Sequence, residues 1–337
     1  MTLSRRDLLK GAAGGGLLWA AGVGSAAAAT RAPLPPEAVG ILYDATLCIG
    51  CKSCMVNCKR VNSQEPGGAL YEAGKAPPYE FNTPERIYDA PLDLSDQTLC
   101  MIRAFRHGSG LAKDRAENGY SFVKSHCLHC LDPACAAVCP VAAFSKDPRT
   151  GVVSYRPERC IGCRYCQMAC PFGIPRFQWG SAKPKLVKCQ LCHHRYGTGG
   201  YAACCEFCPT GASIFGRVAD LRAEVQRRLA ASPGADFDFP VQTVGSSFRL
   251  RRPLASYVNR AYGMSEAGGT QYLLLAGVPF DLLGFNPRIT DERYPDSTWA
   301  YVEKVPVLIA TLLVAGTALR FFATSRDDKS QQTTSNT

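Results

Sequence analysis

The chain has 337 residues, of which 31 are glycine, 23 are proline, 18 are cysteine and only 20% are charged. This length suits two ordinary domains, and such a composition favours loop-rich structure held together by metal over one large apolar core. The formal net charge is +10, but the sequence has no basic stripe with interleaved aromatic residues, so nucleic acid is not an expected partner.

Residues 1–29 have the pattern of an export signal and not of a folded domain. Their start resembles the twin-arginine motif, Ser4-Arg5-Arg6-Asp7-Leu8-Leu9-Lys10. An apolar stretch and a run of alanines follow, as expected before a cleavage site. An uncleaved membrane anchor is the alternative, although a segment of glycine and alanine is only weakly apolar. Because the twin-arginine route carries folded proteins, the segment predicts a protein that acquires its metal in the cytoplasm and acts in the periplasm.

Sixteen of the cysteines fall into four groups of four. The groups are Cys48, Cys51, Cys54 and Cys58; Cys127, Cys130, Cys135 and Cys139; Cys160, Cys163, Cys166 and Cys170; and Cys189, Cys192, Cys204 and Cys208. Groups one and three have the ferredoxin spacing C-x2-C-x2-C-x3-C, and groups two and four lengthen the gap before the third cysteine. This spacing predicts four [4Fe–4S] clusters as cofactors, and therefore a protein that moves electrons. Since each oxidised cluster with its thiolates carries about −2, the basic excess offsets cluster charge.

Three other uses of these cysteines are less well matched by the spacing. A disulfide framework would scatter cysteines along the chain. Zinc ribbons use pairs of C-x2-C, which only the fourth group resembles. Residues 189–193 also spell the C-x-x-C-H haem signature, but a haem would leave Cys204 and Cys208 unused.

In two-cluster ferredoxins the fourth cysteine of each group binds the other cluster of the pair. Residues 143–155 read as a hairpin between groups two and three, where such ferredoxins have one. Groups two and three therefore form one predicted unit, and groups one and four form another around it. The predicted ligands are set A, Cys48, Cys51, Cys54 and Cys208; set B, Cys58, Cys189, Cys192 and Cys204; set C, Cys127, Cys130, Cys135 and Cys170; and set D, Cys139, Cys160, Cys163 and Cys166.

Two cysteines remain outside the sets. Cys205 is an alternative to Cys204, but only Cys204 keeps the three-residue step to Cys208. Cys100 lies in an apolar run and is expected to be a small buried side chain.

Residues 59–126 interrupt the cysteine pattern as an insertion, which is either a surface loop or a binding surface. Residues 101–106 alternate like a strand within it. After the last group, an apolar stripe of Val218, Leu221, Val225 and Leu229 predicts a helix. Residues 271–278 read as a buried strand, and the residues between that helix and that strand look irregular.

Residues 305–323 form an apolar run interrupted only by Arg320. A transmembrane helix is expected, with a buried core helix as the alternative, because no globular segment follows to supply a core. Arg320, Arg326 and Lys329 then lie on the cytoplasmic side, as the positive-inside rule requires. A disordered tail is expected over 324–337.

The predicted fold class is α+β, with tandem bacterial-ferredoxin-like units that bind four [4Fe–4S] clusters and a C-terminal transmembrane helix. The expected domains are a four-cluster domain over 40–216, an extension over 217–304 and the helix over 305–323. No nucleotide loop, nucleophile arrangement or histidine cluster is evident, so the chain is expected to carry electrons without an active site of its own. The alternative is an adaptor protein in which the clusters only hold the fold together, and a redox titration would exclude it.

The chain resembles the iron–sulfur electron-transfer subunits of membrane-bound [NiFe] hydrogenase 2. These belong to a wider four-cluster family that includes the beta subunits of formate dehydrogenases and other molybdopterin oxidoreductases. The cysteine array and the segments 147–151 and 160–166 carry the wider likeness. The twin-arginine leader, the segments 268–271 and 277–279 and the single C-terminal anchor carry the narrower one.

The resemblance implies an electron relay on the periplasmic side of the bacterial inner membrane. Its implied partners are the small and large subunits of a [NiFe] hydrogenase and a membrane-integral, quinone-reactive subunit. The beta subunit of a formate dehydrogenase or another molybdoenzyme is the alternative within the same class.

Overall fold

The computed structural model describes residues 33–72, 93–179, 184, 186–296, 307–317 and 320. The predicted export signal and the predicted tail lie outside these residues, as does part of the insertion, at 73–92.

Short strands and short helices alternate along the described chain. The strands are β1 Val39–Asp44, β2 Met101–Arg106, β3 Ala112–Lys113, β4 Gly119–Ser125, β5 Phe144–Lys146, β6 Val153–Tyr155, β7 Arg176–Phe177, β8 Leu186–Val187, β9 Ser213–Arg217, β10 Asp236–Pro240, β11 Gln242–Thr243, β12 Arg249–Pro253 and β13 Tyr272–Leu275. The helices are α1 Ser53–Gln64, α2 Ala134–Ala137, α3 Tyr165–Ala169, α4 Ala203–Glu206, α5 Val218–Ala230 and α6 over 307–317. Both element types are present, in agreement with the expected mixed α and β content.

A four-stranded sheet in the order β11-β9-β1-β13 brings together strands from distant parts of the chain. β1 is antiparallel to β9 and parallel to β13, with Ile41 opposite Phe215 on one side and Tyr272 on the other. β13 is buried at every position, so the predicted buried strand is present. The sheet therefore joins the start of the predicted cluster domain to the predicted extension.

Helix α5 covers one face of this sheet, as its apolar stripe predicts. Leu221 and Val225 pack against Leu42, Ile214 and Leu273 of the sheet. Burying such side chains contributes about 1.5–3 kcal/mol each relative to exposure. The packing fixes β1, and with it the loop that carries Cys48.

A buried ionic network also joins α5 to the end of β1. The Arg228 guanidinium donates to Asp44 Oδ2 at 2.8 Å and to Glu224 Oε1 at 2.8 Å. The Tyr257 hydroxyl donates to the same Asp44 oxygen at 2.6 Å. Asp44 Oδ1 accepts from the Thr46 backbone N–H at 3.0 Å, so this network also caps the turn before Cys48.

The described part of the insertion forms its own three-stranded sheet, in the order β2-β4-β3. β2 is the strand that the alternation at 101–106 predicts, and it is antiparallel to β4. The Tyr43 hydroxyl donates to the Phe122 carbonyl at 2.9 Å, and the Tyr272 hydroxyl donates to the Lys124 carbonyl at 3.0 Å. These bonds tie the insertion to the central sheet.

The predicted hairpin between groups two and three is present as β5 and β6, which pair antiparallel with Phe144 opposite Tyr155. Asp147 Oδ1 accepts from the backbone N–H groups of Arg149 and Thr150, at 2.9 and 2.7 Å. These bonds close the turn that the sequence Asp-Pro-Arg-Thr-Gly indicates.

The expectation of irregular structure between α5 and β13 is wrong. β10 and β12 form an antiparallel ribbon, with Asp238 opposite Arg251. Phe237 and Phe239 point inward on one strand, while the aspartates beside them are exposed. The exposed positions carry aspartates on β10, and Arg249 and Arg251 on β12. Opposite charges on facing residues such as Asp238 and Arg251 stabilise the pairing.

The predicted transmembrane segment is described in part. Residues 307–317 are helical, and their side chains are exposed. No helix within the described residues is both long enough and apolar enough to cross a membrane. Residues 305–306, 318–319 and 321–323 of the predicted span lie outside the described part of the chain.

Candidate metal centre

Groups one and three have the same local backbone. A 3₁₀ turn ends at Cys48 in one and at Cys160 in the other. Two residues later, Gly50 and Gly162 donate their backbone N–H groups to those sulfurs at 3.4 Å. Lys52 and Arg164 then adopt the left-handed conformation and begin helices α1 and α3.

This loop curves around the sulfur and directs amide hydrogens toward it. Group four repeats the contact, since Leu191 N donates to Cys189 Sγ at 3.4 Å. The last cysteines receive similar bonds, from Ala143 N to Cys139 Sγ at 3.2 Å and from Ser213 N to Cys208 Sγ at 3.4 Å. Hydrogen bonds to sulfur are one of the means by which a protein sets the potential of an iron–sulfur cluster.

The four members of set A line one small cavity, although Cys208 comes from a different group. The lining comprises Cys48, Cys51, Cys54 and Cys208 together with Tyr43, Ile49, Lys52, Ile102, Pro209, Thr210, Ala212 and Ser213. Burial, with smaller contributions from the neighbouring Cys54 and Cys208, raises the pKa of the Cys48 thiol to about 11. A cavity lined by four sulfurs suits a polynuclear centre, so these residues fit a cluster.

The members of set B are also neighbours. Burial raises the pKa of Cys189 well above its ordinary value, and nearby Cys58, Cys192 and Cys204 add to the shift. Asn62 joins two groups by donating from Nδ2 to Cys58 Sγ and Cys192 Sγ, both at 3.7 Å. Cys58 therefore lies beside group four, although it belongs to group one in sequence.

Sets C and D show the same exchange of fourth cysteines. Burial raises the pKa of Cys130 well above its ordinary value, and its neighbours Cys170, Cys127 and Cys135 add to it. Burial raises the pKa of Cys166 to about 12, with Cys139, Cys160 and Cys163 as the neighbouring cysteines. Free thiols in such surroundings retain their protons, which metal binding would displace.

Three observations bear on the other uses considered for these cysteines. All eighteen cysteines are free thiols. Within the described residues, no three His, Cys, Asp or Glu side chains converge closely enough to hold a single metal ion. His193, the histidine of the haem-like signature, contacts the Gln190 carbonyl at 3.1 Å through Nδ1.

The electrostatic surroundings separate Cys204 from Cys205. Hydrogen bonds from Cys100 and Cys205 hold the pKa of Cys204 well below its ordinary value, and Lys124 adds to the shift. Burial raises the pKa of Cys205 well above its ordinary value. The two thiols thus differ in acidity, and Cys204 stays the predicted ligand because it alone keeps the three-residue step to Cys208.

Cys100 is buried, as expected, but it also contacts predicted ligands. Its hydrogen bonds with Cys204, Cys54 and Cys58 raise the pKa of its thiol well above its ordinary value. The protonated Cys100 thiol thus lies between sets A and B, a position that its apolar sequence surroundings do not indicate.

Two buried lysines that the sequence pattern did not indicate also lie beside the cysteine groups. Lys124, at the end of β4, donates from Nζ to Cys204 Sγ at 3.4 Å. Lys188 donates to the carbonyls of Val153 and Cys189. Lys124 is 1% exposed and Lys188 is 2% exposed. The available signal was position, since each lysine lies within three residues of the first cysteine of a group.

Comparison with known proteins places these residues in a family. The 4Fe-4S dicluster domain family matches residues 119–218, which include groups two, three and four. The hydrogenase-2 operon protein HybA of Escherichia coli O157:H7 is 39% identical over 297 residues, covering 86% of this chain and 85% of that protein.

Two further relatives are more distant. A protein of Nitratidesulfovibrio vulgaris strain Hildenborough is 32% identical over 290 residues, which cover 86% of this chain and 68% of that protein. The iron–sulfur subunit of the nitrate-inducible formate dehydrogenase of Escherichia coli K12 is 32% identical over 214 residues, 60% of this chain and 64% of that subunit. With HybA matched over most of both lengths, the chain belongs to the family of the hydrogenase-2 operon protein HybA, among iron–sulfur proteins with a 4Fe-4S dicluster domain.

Proposed function

We propose that the chain is an electron carrier, without an active site of its own, that holds four [4Fe–4S] clusters in sets A, B, C and D. The observation that carries the proposal is the exchange of fourth cysteines, since each predicted set gathers members from two groups. When bound, the clusters would accept and release single electrons. The residues described above supply the thiolates, the amide donors and the buried charges around them.

Contacts between the sets support a linear order A, B, C, D. Cys54 of set A neighbours Cys204 of set B. Cys189 of set B neighbours Cys127 of set C. Cys135 of set C neighbours Cys166 of set D.

The two ends of this order are the more exposed. Cys51 in set A and Cys163 in set D are exposed, whereas all four predicted ligands of set B are buried. Ile161 beside set D is 65% exposed and Met168 is 85% exposed, and Ile49 beside set A is 58% exposed. We infer that the donor and the acceptor approach at these ends, with the insertion 59–126 and the extension 217–304 as further docking surfaces.

We propose as partners the small and large subunits of a [NiFe] hydrogenase and a membrane-integral subunit that reduces quinone. The relative named for the hydrogenase-2 operon supports this choice, because the match covers most of both chains. The likeness to formate dehydrogenase iron–sulfur subunits covers 60% of this chain and supports a formate dehydrogenase as the second candidate donor.

Deleting the gene tests both candidates. We expect hydrogen-dependent reduction of quinone to be lost, while hydrogen oxidation with an artificial dye persists because the catalytic subunits remain. Loss of formate oxidation with unchanged hydrogen uptake would select the second candidate. Unimpaired electron transfer from both donors would exclude the carrier role.

We further propose export by the twin-arginine route and attachment to the periplasmic side of the inner membrane through 305–323. Replacing Arg5 and Arg6 by lysine should trap a folded, cluster-containing protein in the cytoplasm. Truncation before Val305, in a strain without the partners, should release the protein into the periplasmic fraction. Sedimentation of the truncated protein with membranes in that strain would rule out this anchor.

A further inference from the structure

Lys124 is a buried cation that contacts a predicted ligand directly. It comes from strand β4 of the insertion and is 1% exposed. Its Nζ donates to Cys204 Sγ of set B at 3.4 Å and to Ser213 Oγ at 2.8 Å. Placing an ammonium group in such a position requires compensation for the water that it loses.

A carboxylate does not provide that compensation. Among the residues that the structure describes, no Asp or Glu oxygen lies within 4.0 Å of the Lys124 ammonium. Two further buried cations are described: Arg228 is paired with Asp44 and Glu224, whereas Lys188 donates to the carbonyls of Val153 and Cys189. The Tyr43 ring lies 5.8 Å from Lys124 Nζ, on the side of set A.

The remaining groups around Lys124 are cysteines, His126 and Tyr272. The sulfurs of Cys204, Cys205, Cys100 and Cys54 surround its ammonium, with that of Cys204 at 3.4 Å. The ammonium is therefore balanced by sulfur.

We propose that Lys124 is a built-in counter-charge for set B, which raises the reduction potential of the cluster bound there. The inference rests on the proposed function. Reduction would add one electron, from the preceding carrier, to the cluster that set B binds. No bond would be made or broken and no proton taken up. A fixed positive charge in a water-poor site stabilises the more negative state several times more strongly than it would in water.

Ser213 fixes the position of this charge. Its hydroxyl accepts from Lys124, while its backbone N–H donates to Cys208 Sγ of set A at 3.4 Å. Replacing Ser213 by alanine removes only the hydroxyl and leaves the backbone contact. The shift expected from Ser213→Ala therefore has the same sign as that of Lys124→Met and a smaller size.

The test is a redox titration of the purified full-length protein, followed by electron paramagnetic resonance, for Lys124→Met and Lys124→Arg. We expect Lys124→Met to make the reduction of one cluster at least tenfold less favourable, which is about 59 mV for a one-electron couple. Lys124→Arg keeps the charge and should shift that step less. Four unchanged steps in Lys124→Met would overturn the proposal.

Lys146→Met is the control, because it removes a half-buried ammonium that lies near a different set. Lys146 Nζ donates to the carbonyls of Cys130 and Leu131, at 2.9 and 2.6 Å, beside set C. Any step that it moves should differ from the step moved by Lys124→Met. Movement of the same step by both variants would mean that the effect is not local to set B, and would overturn the proposal.

Iron content separates a folding defect from an effect on potential. If Lys124→Met loses a cluster, Ser213→Ala decides the question, because it leaves the ammonium in place. An unchanged potential in a fully loaded Ser213→Ala protein would then overturn the proposal. Failure of the proposed function is a distinct result, seen as fewer than four clusters in the unmodified protein.

Discussion

At the scale of single residues, Cys58 has the most informative position. It follows Cys54 by one helical turn in α1, yet its neighbours belong to group four. Asn62, one turn further along α1, donates to Cys58 and Cys192 and so fixes both sulfurs. Helix α1 thus begins at one predicted set and carries the last cysteine of its group to the next.

Replacing Cys58 by serine is expected to damage the cluster of set B and to spare that of set A. Reference spectra come from Cys189→Ser, which alters set B, and from Cys51→Ser, which alters set A. The Mössbauer and paramagnetic resonance spectra of Cys58→Ser should match those of Cys189→Ser. A match to Cys51→Ser would mean that group one binds a cluster with its own four cysteines.

Cys205 provides the control for this series, because it is buried and adjacent to a ligand without being a member of a set. Cys205→Ser should retain four clusters and the spectrum of the unmodified protein. Loss of a cluster in this variant, with Cys204→Ser unaffected, would mean that Cys205 is the ligand in set B and Cys204 is not.

At the scale of elements, β1 is central because it pairs on both sides and leads directly to Cys48. At Gly40 the neighbouring chain approaches very closely. A Cβ at this position would lie 2.0 Å from the carbonyl oxygen of Gln271. Only glycine therefore allows β1 and the start of β13 to lie at this separation.

Gly40→Ala should weaken the pairing of β1 with β13 by roughly 1–3 kcal/mol, the usual cost of overpacking. The expected signs are a lower denaturant midpoint and faster loss of the set A cluster. Gly245→Ala is the matched control, because a Cβ there meets nothing within 4 Å. Equal midpoints for the two variants would contradict this account of Gly40.

Local pattern was sufficient to predict several elements. Alternation predicted β2, turn chemistry predicted the β5–β6 hairpin, and helical periodicity predicted α5. In each of these cases the signal and the structure that it specifies lie within about a dozen residues. Alternation was also present at Asp236–Pro240, so the ribbon was available to sequence analysis and was missed.

Pairings between distant segments leave no comparable local signal. Nothing near Ile41 indicates that Tyr272 lies beside it. Lys124 has the appearance of an ordinary lysine at the end of a strand, and only the fold brings it to Cys204, 80 residues away in sequence. The cysteine groups differ in this respect, because the ligands of a cluster lie mostly within one short segment and their spacing can be recognised there.

At the scale of the whole molecule, the Asp44–Arg228 pair joins segments that are 184 residues apart. Both side chains are fully buried. Removing one partner of a buried ion pair leaves the other charge without compensation, which costs about 3–5 kcal/mol. Arg228→Met should therefore destabilise the protein strongly, as measured by its denaturant midpoint.

The exposed pair Arg251–Asp236 is the control, since its side chains are 70% and 60% exposed. Exposed ion pairs contribute less than about 1 kcal/mol, so Arg251→Met should change the midpoint little. A similar midpoint for the two variants would show that burial does not govern the strength of the Asp44–Arg228 pair.

The parallel pairing of β1 with β13 has a consequence for how the protein is made. A ribosome has synthesised all sixteen predicted ligands by Cys208, well before it reaches Tyr272. Until then, β1 lacks the neighbour that completes its side of the sheet, and the loop at Cys48 lacks its final support. A nascent chain that stalls in this interval holds every predicted ligand yet cannot complete the sheet beside set A, so that sheet is finished only after β13 has been synthesised.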